Sequence, residues 1–471
     1  MKQIAAIALL ALRNAFRSRL LLVLFGLLFA AAFLLPLALR SDGTPAGLIR
    51  IHLSYTLGIA GFLLALASLW AGGAAVSQEA DDKTLQLLLV KPVPRLRIWL
   101  GKWLALLLVN AVLLAIVGLV AAATLQFKLR RGGFTPDALG EARLTTLAAL
   151  ETFHAPLPDV SAAIRAEYND LRARRALPPD ISEKAALDSL RRAHLARLYS
   201  IPAGQSRAWT FDVPAKIPDP GTLLVQFKCD SSVPGAADIE ATVALQAGDL
   251  NTNMEVRAMP GTVQNLVFRD VPVDARRAAI TFRNLGGHGA TLFFDPADGL
   301  VLRRAAGTFA GNYLRALARL YLHLALFAAI GVTLGTLFSM PVATFLSLVL
   351  ILILQLSGFI SAAAQVDRET FVANVAPFGG GHVHGDADPA PPSLAARAAA
   401  NVFYYAYRGT WLALRPLLAD RTLDDLANGA YLPPRDLARA LLAQGLVIPL
   451  LLALLSTAVL RRREWARPNL S

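Results

Sequence analysis

Long apolar runs separated by short charged islands dominate the chain. Leu20 to Leu39, Leu53 to Gln78, Trp103 to Phe127 and Ala440 to Leu460 each contain no Lys, Arg, Asp or Glu. A helix that crosses a bilayer needs about 20 mostly apolar residues, so each run predicts one membrane span. Leu320 to Val366 is equally uncharged but too long for one crossing. Ser339, Met340 and Pro341 divide it into a tight hairpin, because proline breaks the helical hydrogen-bond ladder. The expected total is six spans.

Between the third and fourth spans the pattern changes twice. From Thr135 to about Ser200, Ile164, Tyr168 and Leu171, then Leu187, Leu190 and Leu198, recur at helical spacing, with Pro178 and Pro179 between the two sets. From Ser206 the period becomes two: Trp209, Phe211, Val213; Leu223, Val225, Phe227; Ala241, Val243, Leu245; Ala278, Ile280, Phe282. Short alternating runs punctuated by turn residues predict an antiparallel β-sandwich. The expected fold is a mainly α membrane protein with six transmembrane helices and an inserted extracytoplasmic α+β domain of two or three helices plus this sandwich. In numbers, 1–19 is an interfacial helix and 20–127 holds spans one to three with a cytoplasmic loop at 79–102. Residues 128–205 are the helical segment, 206–304 the sandwich and 305–366 spans four and five. An outer loop with an interfacial or re-entrant helix occupies 367–439, and span six with a basic tail occupies 440–471.

Charge gives this string an orientation. Lys2, Arg13, Arg17 and Arg19, the group Lys83, Lys91, Arg95, Arg97 and Lys102, and Arg461, Arg462, Arg463 and Arg467 are basic clusters, which favour the cytoplasmic side. Both termini and the 79–102 loop are therefore expected inside, and the large insertion outside. Residues 4–12 are followed by arginines rather than a small-residue cleavage site, so they read as a helix lying on the inner leaflet and not as a signal peptide. Much of the +13 net charge then serves topology and not nucleic acid. With 55% hydrophobic and only 17% charged residues the composition is that of an integral membrane protein. The single cysteine, Cys229, excludes an intrachain disulfide and, in step with Leu223, Val225 and Phe227, reads as a buried strand residue.

Candidate chemistry is sparse. No G-x-x-x-x-G-K-[ST] phosphate loop occurs, and no Ser/His/Asp cluster or paired intramembrane carboxylate suggests catalysis. Asn110, His323, Gln355 and Gln444 are the polar side chains in or near spans, and so candidates for a translocation path or for contacts between helices. His382 and His384 have the types and spacing of a weak transition-metal site, but in a glycine-rich loop. Trp209 alternates with core positions, which favours packing over ligand stacking. Phe403, Tyr404, Tyr405, Tyr407 and Trp411, with Arg408 and Arg415, suit headgroup depth.

The charged island carries a resemblance. Glu79, Asp82, Thr84, Leu85, Leu88, Pro92, Arg95, Gly101 and Lys102 follow the order of the first cytoplasmic loop of ATP-binding-cassette permeases of the second export class. Ala11 to Arg19 is similar to that family's elbow helix. Lys83 stands where a glycine often precedes the threonine, and the large insertion departs from the minimal pattern. The resemblance implies a permease subunit that is not itself an enzyme and binds no cofactor, with ATP and magnesium held by a separate ATPase subunit. It further implies a second permease copy, a place in the cell's inner membrane, and coupling through the island. A non-transporting membrane scaffold or sensor with a ligand- or partner-binding outer β-sandwich is the alternative from another class.

Overall fold

The computed structural model describes residues 2–17, 42–81, 93–177, 183–213, 221–233, 238–272, 275–286, 289–355, 394–418 and 421–462, with scattered positions between 23 and 38 and at 368 and 371. The chain forms two compact units: Met1–Thr135, Tyr313–Ala427 and Leu432–Ser471 in one, Pro136–Asn312 and Asn428–Tyr431 in the other.

The first unit is helical. Its described helices are α1 (Lys2–Arg17), α2 (Pro45–Asp81) and α3 (Arg95–Arg131), then, beyond the second unit's α4 to α6, α7 (Phe309–Leu337), α8 (Met340–Gln355), α9 (Leu394–Leu418), α10 (Thr422–Ala427), α11 (Pro434–Ala440) and α12 (Ile448–Arg462). Thr44 accepts the Gly47 N–H at 3.0 Å and its own N–H is held by Asp42, so the orphan amides that open α2 are partly satisfied. Pro94 opens α3, and Lys128, Arg130 and Arg131 occupy its last turn, where cations complement the helix dipole. Among the described residues four helical stretches are long and apolar enough to cross a membrane: Pro45–Glu79, Arg95–Arg131, Phe309–Leu337 and Pro434–Arg462.

The 37 residues of α3 extend about 55 Å at 1.5 Å each, well beyond a hydrocarbon core of about 30 Å. Its ends therefore project past the apolar layer, and the predicted spans two and three are the middles of longer helices. Leu108, Val112 and Leu119 of α3 are exposed, an arrangement that water would oppose and lipid accepts. The predicted break after span four is found where expected: α7 ends at Leu337 and α8 starts at Met340, with Pro341 in its first turn. Predicted span one and the second half of span five lie mostly outside the described residues.

The second unit holds α4 (Pro136–Thr145), α5 (Ser161–Ala173) and α6 (Glu183–Leu198) together with eleven described strands. These are β1 (Ala148–His154), β2 (Ser200–Ile201), β3 (Ser206–Asp212), β4 (Leu223–Phe227), β5 (Cys229–Ser231), β6 (Ile239–Ala247), β7 (Leu250–Ala258), β8 (Gln264–Phe268), β9 (Arg277–Asn284), β10 (Leu292–Phe294) and β11 (Leu300–Thr308). They form three sheets ordered β1-β11-β4-β8, β2-β10-β5 and β3-β9-β6-β7, with antiparallel ladders throughout. Alternate residues of the strands, among them Phe211, Val225, Phe227, Val243 and Phe282, share one apolar core. Trp209 belongs to it, 5.5 Å from the Phe294 ring and 6.1 Å from that of Tyr199.

One expectation needs correction. Residues 128–205 were expected to be wholly helical, but Ala148–His154 is a strand, in register with β11 from Ala148↔Thr308 to His154↔Val301. Thr152 and Phe153 are strand-favouring residues, and a free edge of β11 outweighs the weak local pattern. The buried Arg304 faces Glu151 across this ladder, ion-paired to it and lying 5.2 Å over the Phe153 ring. The sheets accordingly run from Ala148 to Thr308 and not only from 206 to 304. Further along the chain, Asn428–Tyr431 adds a short parallel bridge to β1: Leu150 N donates to Gly429 O at 2.8 Å and Tyr431 N to Leu150 O at 2.9 Å. Asn312 Nδ2 holds the Ala430 carbonyl at 2.7 Å, and any Cβ at Gly429 would run into the Thr145 carbonyl. Part of the expected outer loop at 367–439 is therefore a component of the β unit.

Cys229 lies inside the apolar core, and burial, with Asp230 adding to it, pushes its thiol up to about 12. Because the thiolate is the reactive form, maleimide at about pH 8 should leave the folded protein unlabelled and modify this cysteine once the protein is denatured in SDS. Labelling of the folded chain would show that the thiol is accessible.

Candidate functional site

The charged island joins two helix ends, and the structure describes both. Glu79 lies in the last turn of α2, where the helix dipole disfavours a carboxylate. Glu79 and Asp81 both fall in the last turn of α2. Lys102 of α3 compensates, its Nζ 2.6 Å from Glu79 Oε2, and it also donates to the Ala75 carbonyl. Lys102 is only 2% exposed. Truncating one member of such a buried pair typically costs about 3–5 kcal/mol, because the other charge is left uncompensated.

Gly101 has a different task. A Cβ there would fall 2.8 Å from the Cβ and Cγ2 of Ile7, so only glycine lets α1 lie this close to α3. Arg97 Nη1 donates to Gln3 Oε1 at 2.7 Å one turn earlier. The Gly101-Lys102 doublet thus seats α1 with its first residue and ties α2 with its second. The Lys102 side chain is buried in this arrangement. Arg95 is the first residue of α3, while Asp82, Thr84, Leu85, Leu88 and Pro92 lie outside the described residues.

Polar ties continue along the antiparallel pair α2–α3. Asn110 Nδ2 donates to Ser68 Oγ at 2.9 Å, and Ser68 Oγ to the Leu64 carbonyl at 2.7 Å. Nearer the other end, His52 Nε2 donates to the Ala121 carbonyl at 2.9 Å, with Thr124 Oγ1 at 3.3 Å. Glu79–Lys102, Ser68–Asn110 and His52–Ala121 therefore fasten the two helices at three levels. Asn110 thus makes a contact between α2 and α3. Sequence reading passed over His52 and Ser68, for which the only signals were a histidine at the border of an apolar run and a hydroxyl within it.

α7 closes on the same helix. A Cβ at Gly72 would meet Val332 N at 2.7 Å, and one at Gly335 would run into the Gly73 carbonyl. Gly331 and Gly335, four apart on α7, thus bring it backbone to backbone with α2, the close approach that small residues permit between membrane helices. Trp103 Nε1 of α3 donates to the Ala325 carbonyl of α7 at 2.9 Å. His323 is buried on α7 with its ring 5.4 Å from that of Phe327. Gln444 is buried in a π-helical stretch, Leu441–Val447, between α11 and α12. Such irregular turns often mark functional positions. Gln355 is the last residue of α8, and His382 and His384 lie outside the described residues. Asn110, His323 and Gln444 are thus not brought into one cluster by any contact described.

Comparison with known proteins bears on this helical unit. Residues 5–164, which cover most of α1, all of α2 and α3 and the start of the second unit, match the family model described as ABC-2 family transporter protein. The match supports an ABC-2 type permease over these residues. No curated protein matches the chain. Among solved structures there is similarity to TmCBM61, described in complex with beta-1,4-galactotriose, at 18% identity over 22% of this chain and 68% of that one. Its TM-score of 0.16 is too low to support a conclusion.

Replacing Lys102 by Met should lower the melting temperature in nanodiscs by more than the double change Lys102→Met with Glu79→Gln. The double variant removes both charges and leaves neither stranded. Equal losses in the two would show that the pair is not coupled.

Proposed function

We propose that this chain, an ABC-2 type permease by its residues 5–164, is the membrane subunit of an ATP-driven exporter that receives its driving force at the 79–102 segment. The observation that supports this reading most is the pair of ties at Gly101 and Lys102. They join α1, α2 and α3 next to the island, so a force on the island acts on a preassembled set of helices. Closure of two ATPase subunits around ATP and magnesium would push the island, and the three polar ties would carry the push along α2 and α3 as a rigid-body movement. Helix α7, pressed against α2 at Gly72 and Gly335, would follow.

Within this mechanism the island residues divide by task. Asp82, Thr84, Leu85, Leu88, Pro92 and Arg95 are assigned to contact with the ATPase. Glu79, Gly101 and Lys102 hold the flanking helices together without touching the partner. The termini and the island are cytoplasmic in the cell's inner membrane, the β unit is extracytoplasmic, and a second permease copy completes the path. Asn110, His323, Gln355 and Gln444 remain the polar candidates along it, with Asn110 serving first as a fastening between helices. ATP and magnesium belong to the partner, and this chain supplies no residue to their chemistry.

Purification of the tagged chain from its own membranes tests the reading. An ATPase subunit should co-purify, and Arg95→Glu should release it or abolish its stimulation while membrane insertion stays normal. Recovery of the chain without any ATPase would favour a scaffold or sensor instead.

A further inference from the structure

The helical unit contains a cavity of about 230 Å³ between α2, α7, α8 and α10. Gly58, Gly61 and Phe62 of α2 form one wall and Leu320 and His323 of α7 another, with Thr422 of α10 at its edge. Among the described lining residues none is Lys, Arg, Asp or Glu, and the polar side chains are His323 and Thr422. The glycines keep the space open: an added Cβ at Gly58 meets nothing within 4 Å, and one at Gly61 meets Leu320 Cδ1 at 3.1 Å.

We propose that this cavity binds the hydrocarbon part of an uncharged amphiphile, with the His323 imidazole hydrogen-bonded to its small polar group. The inference deepens the permease reading by naming a substrate class. Four features carry it. The cavity is walled by two helices of membrane-spanning length, so a hydrocarbon is the ligand that its surroundings supply. An ionised group would be stranded there, since the described lining residues offer no counter-charge. Its volume is below the roughly 300–1,000 Å³ of pockets for whole drug-sized ligands, so it admits one chain segment or ring and leaves the remainder of the molecule outside. His323 is 7% exposed and set edge-on to Phe327, which fixes the imidazole at one point of an otherwise apolar wall.

The test uses the full chain in nanodiscs with photoactivatable diazirine derivatives of decanol and of decane, mapped by mass spectrometry. Both probes should label the Gly58–Phe62 and Leu320–Phe327 segments. Gly58→Leu, which fills the space without a backbone clash, should reduce both labels about tenfold through lost burial of one or two methylenes, with an unchanged melting temperature. His323→Leu should weaken decanol labelling severalfold and leave decane labelling unchanged. Equal labelling of wild type and Gly58→Leu would overturn the proposal, as would labelling confined to other surfaces. Native mass spectrometry adds a second check: a phospholipid retained by wild type and lost from Gly58→Leu would overturn the assignment to an uncharged ligand. Labelling of a chain that co-purifies with no ATPase would leave this assignment standing and remove the permease reading. A co-purifying ATPase with no labelling would do the reverse.

Discussion

Burial of Lys102 against Glu79 is the constraint on which the helical unit depends. A cation this enclosed must stay paired, so the end of α2 and the start of α3 cannot separate without stranding a charge. The same turn of α3 presents Gly101 to Ile7, which brings α1 into the assembly. Two adjacent residues thereby fix the contacts of α3 with α1 and with α2. Farther along, Ser68–Asn110 repeats the fastening with neutral groups inside the span, and His52–Ala121 adds a tie near its other end.

The glycine contact between α2 and α7 complements this arrangement. Polar ties hold α2 to α3, whereas backbone proximity at Gly72, Gly331 and Gly335 holds α2 to α7. α2 is thus the shared element, and it also lines the cavity at Gly58 and Gly61. In the proposed mechanism, a movement received at Glu79 reaches the cavity along a single helix.

Much of this architecture is legible in the sequence because burial in a bilayer leaves a strong record. Uncharged runs locate α2, α3, α7 and the Pro434–Arg462 stretch, and Pro341 locates the break between α7 and α8. Period-two alternation likewise located Phe211, Val225 and Phe282 in one core. β1 was not legible, since its pairing with β11 lies some 150 residues away, as the Ala148↔Thr308 register indicates. The bridge at Ala430 is longer-range still. Within the site, the motif marked Glu79, Gly101 and Lys102 but not their division of labour: a lysine after a glycine reads as a surface charge until Ile7 and Glu79 are placed against the pair. His52 and Ser68 escaped notice because their partners, Ala121 and Asn110, are fixed only by the antiparallel register of two helices.

The central claim is that α2 and α3 move as one body. The double substitution Ser68→Cys with Asn110→Cys places two thiols across the middle tie, and the buried Cys229 will not compete for oxidation. Oxidative cross-linking of this variant, in complex with its ATPase, should leave ATP hydrolysis and its stimulation at the level of the reduced protein. Loss of activity on cross-linking, restored by reductant, would mean that the two helices must part during the cycle and would contradict the account.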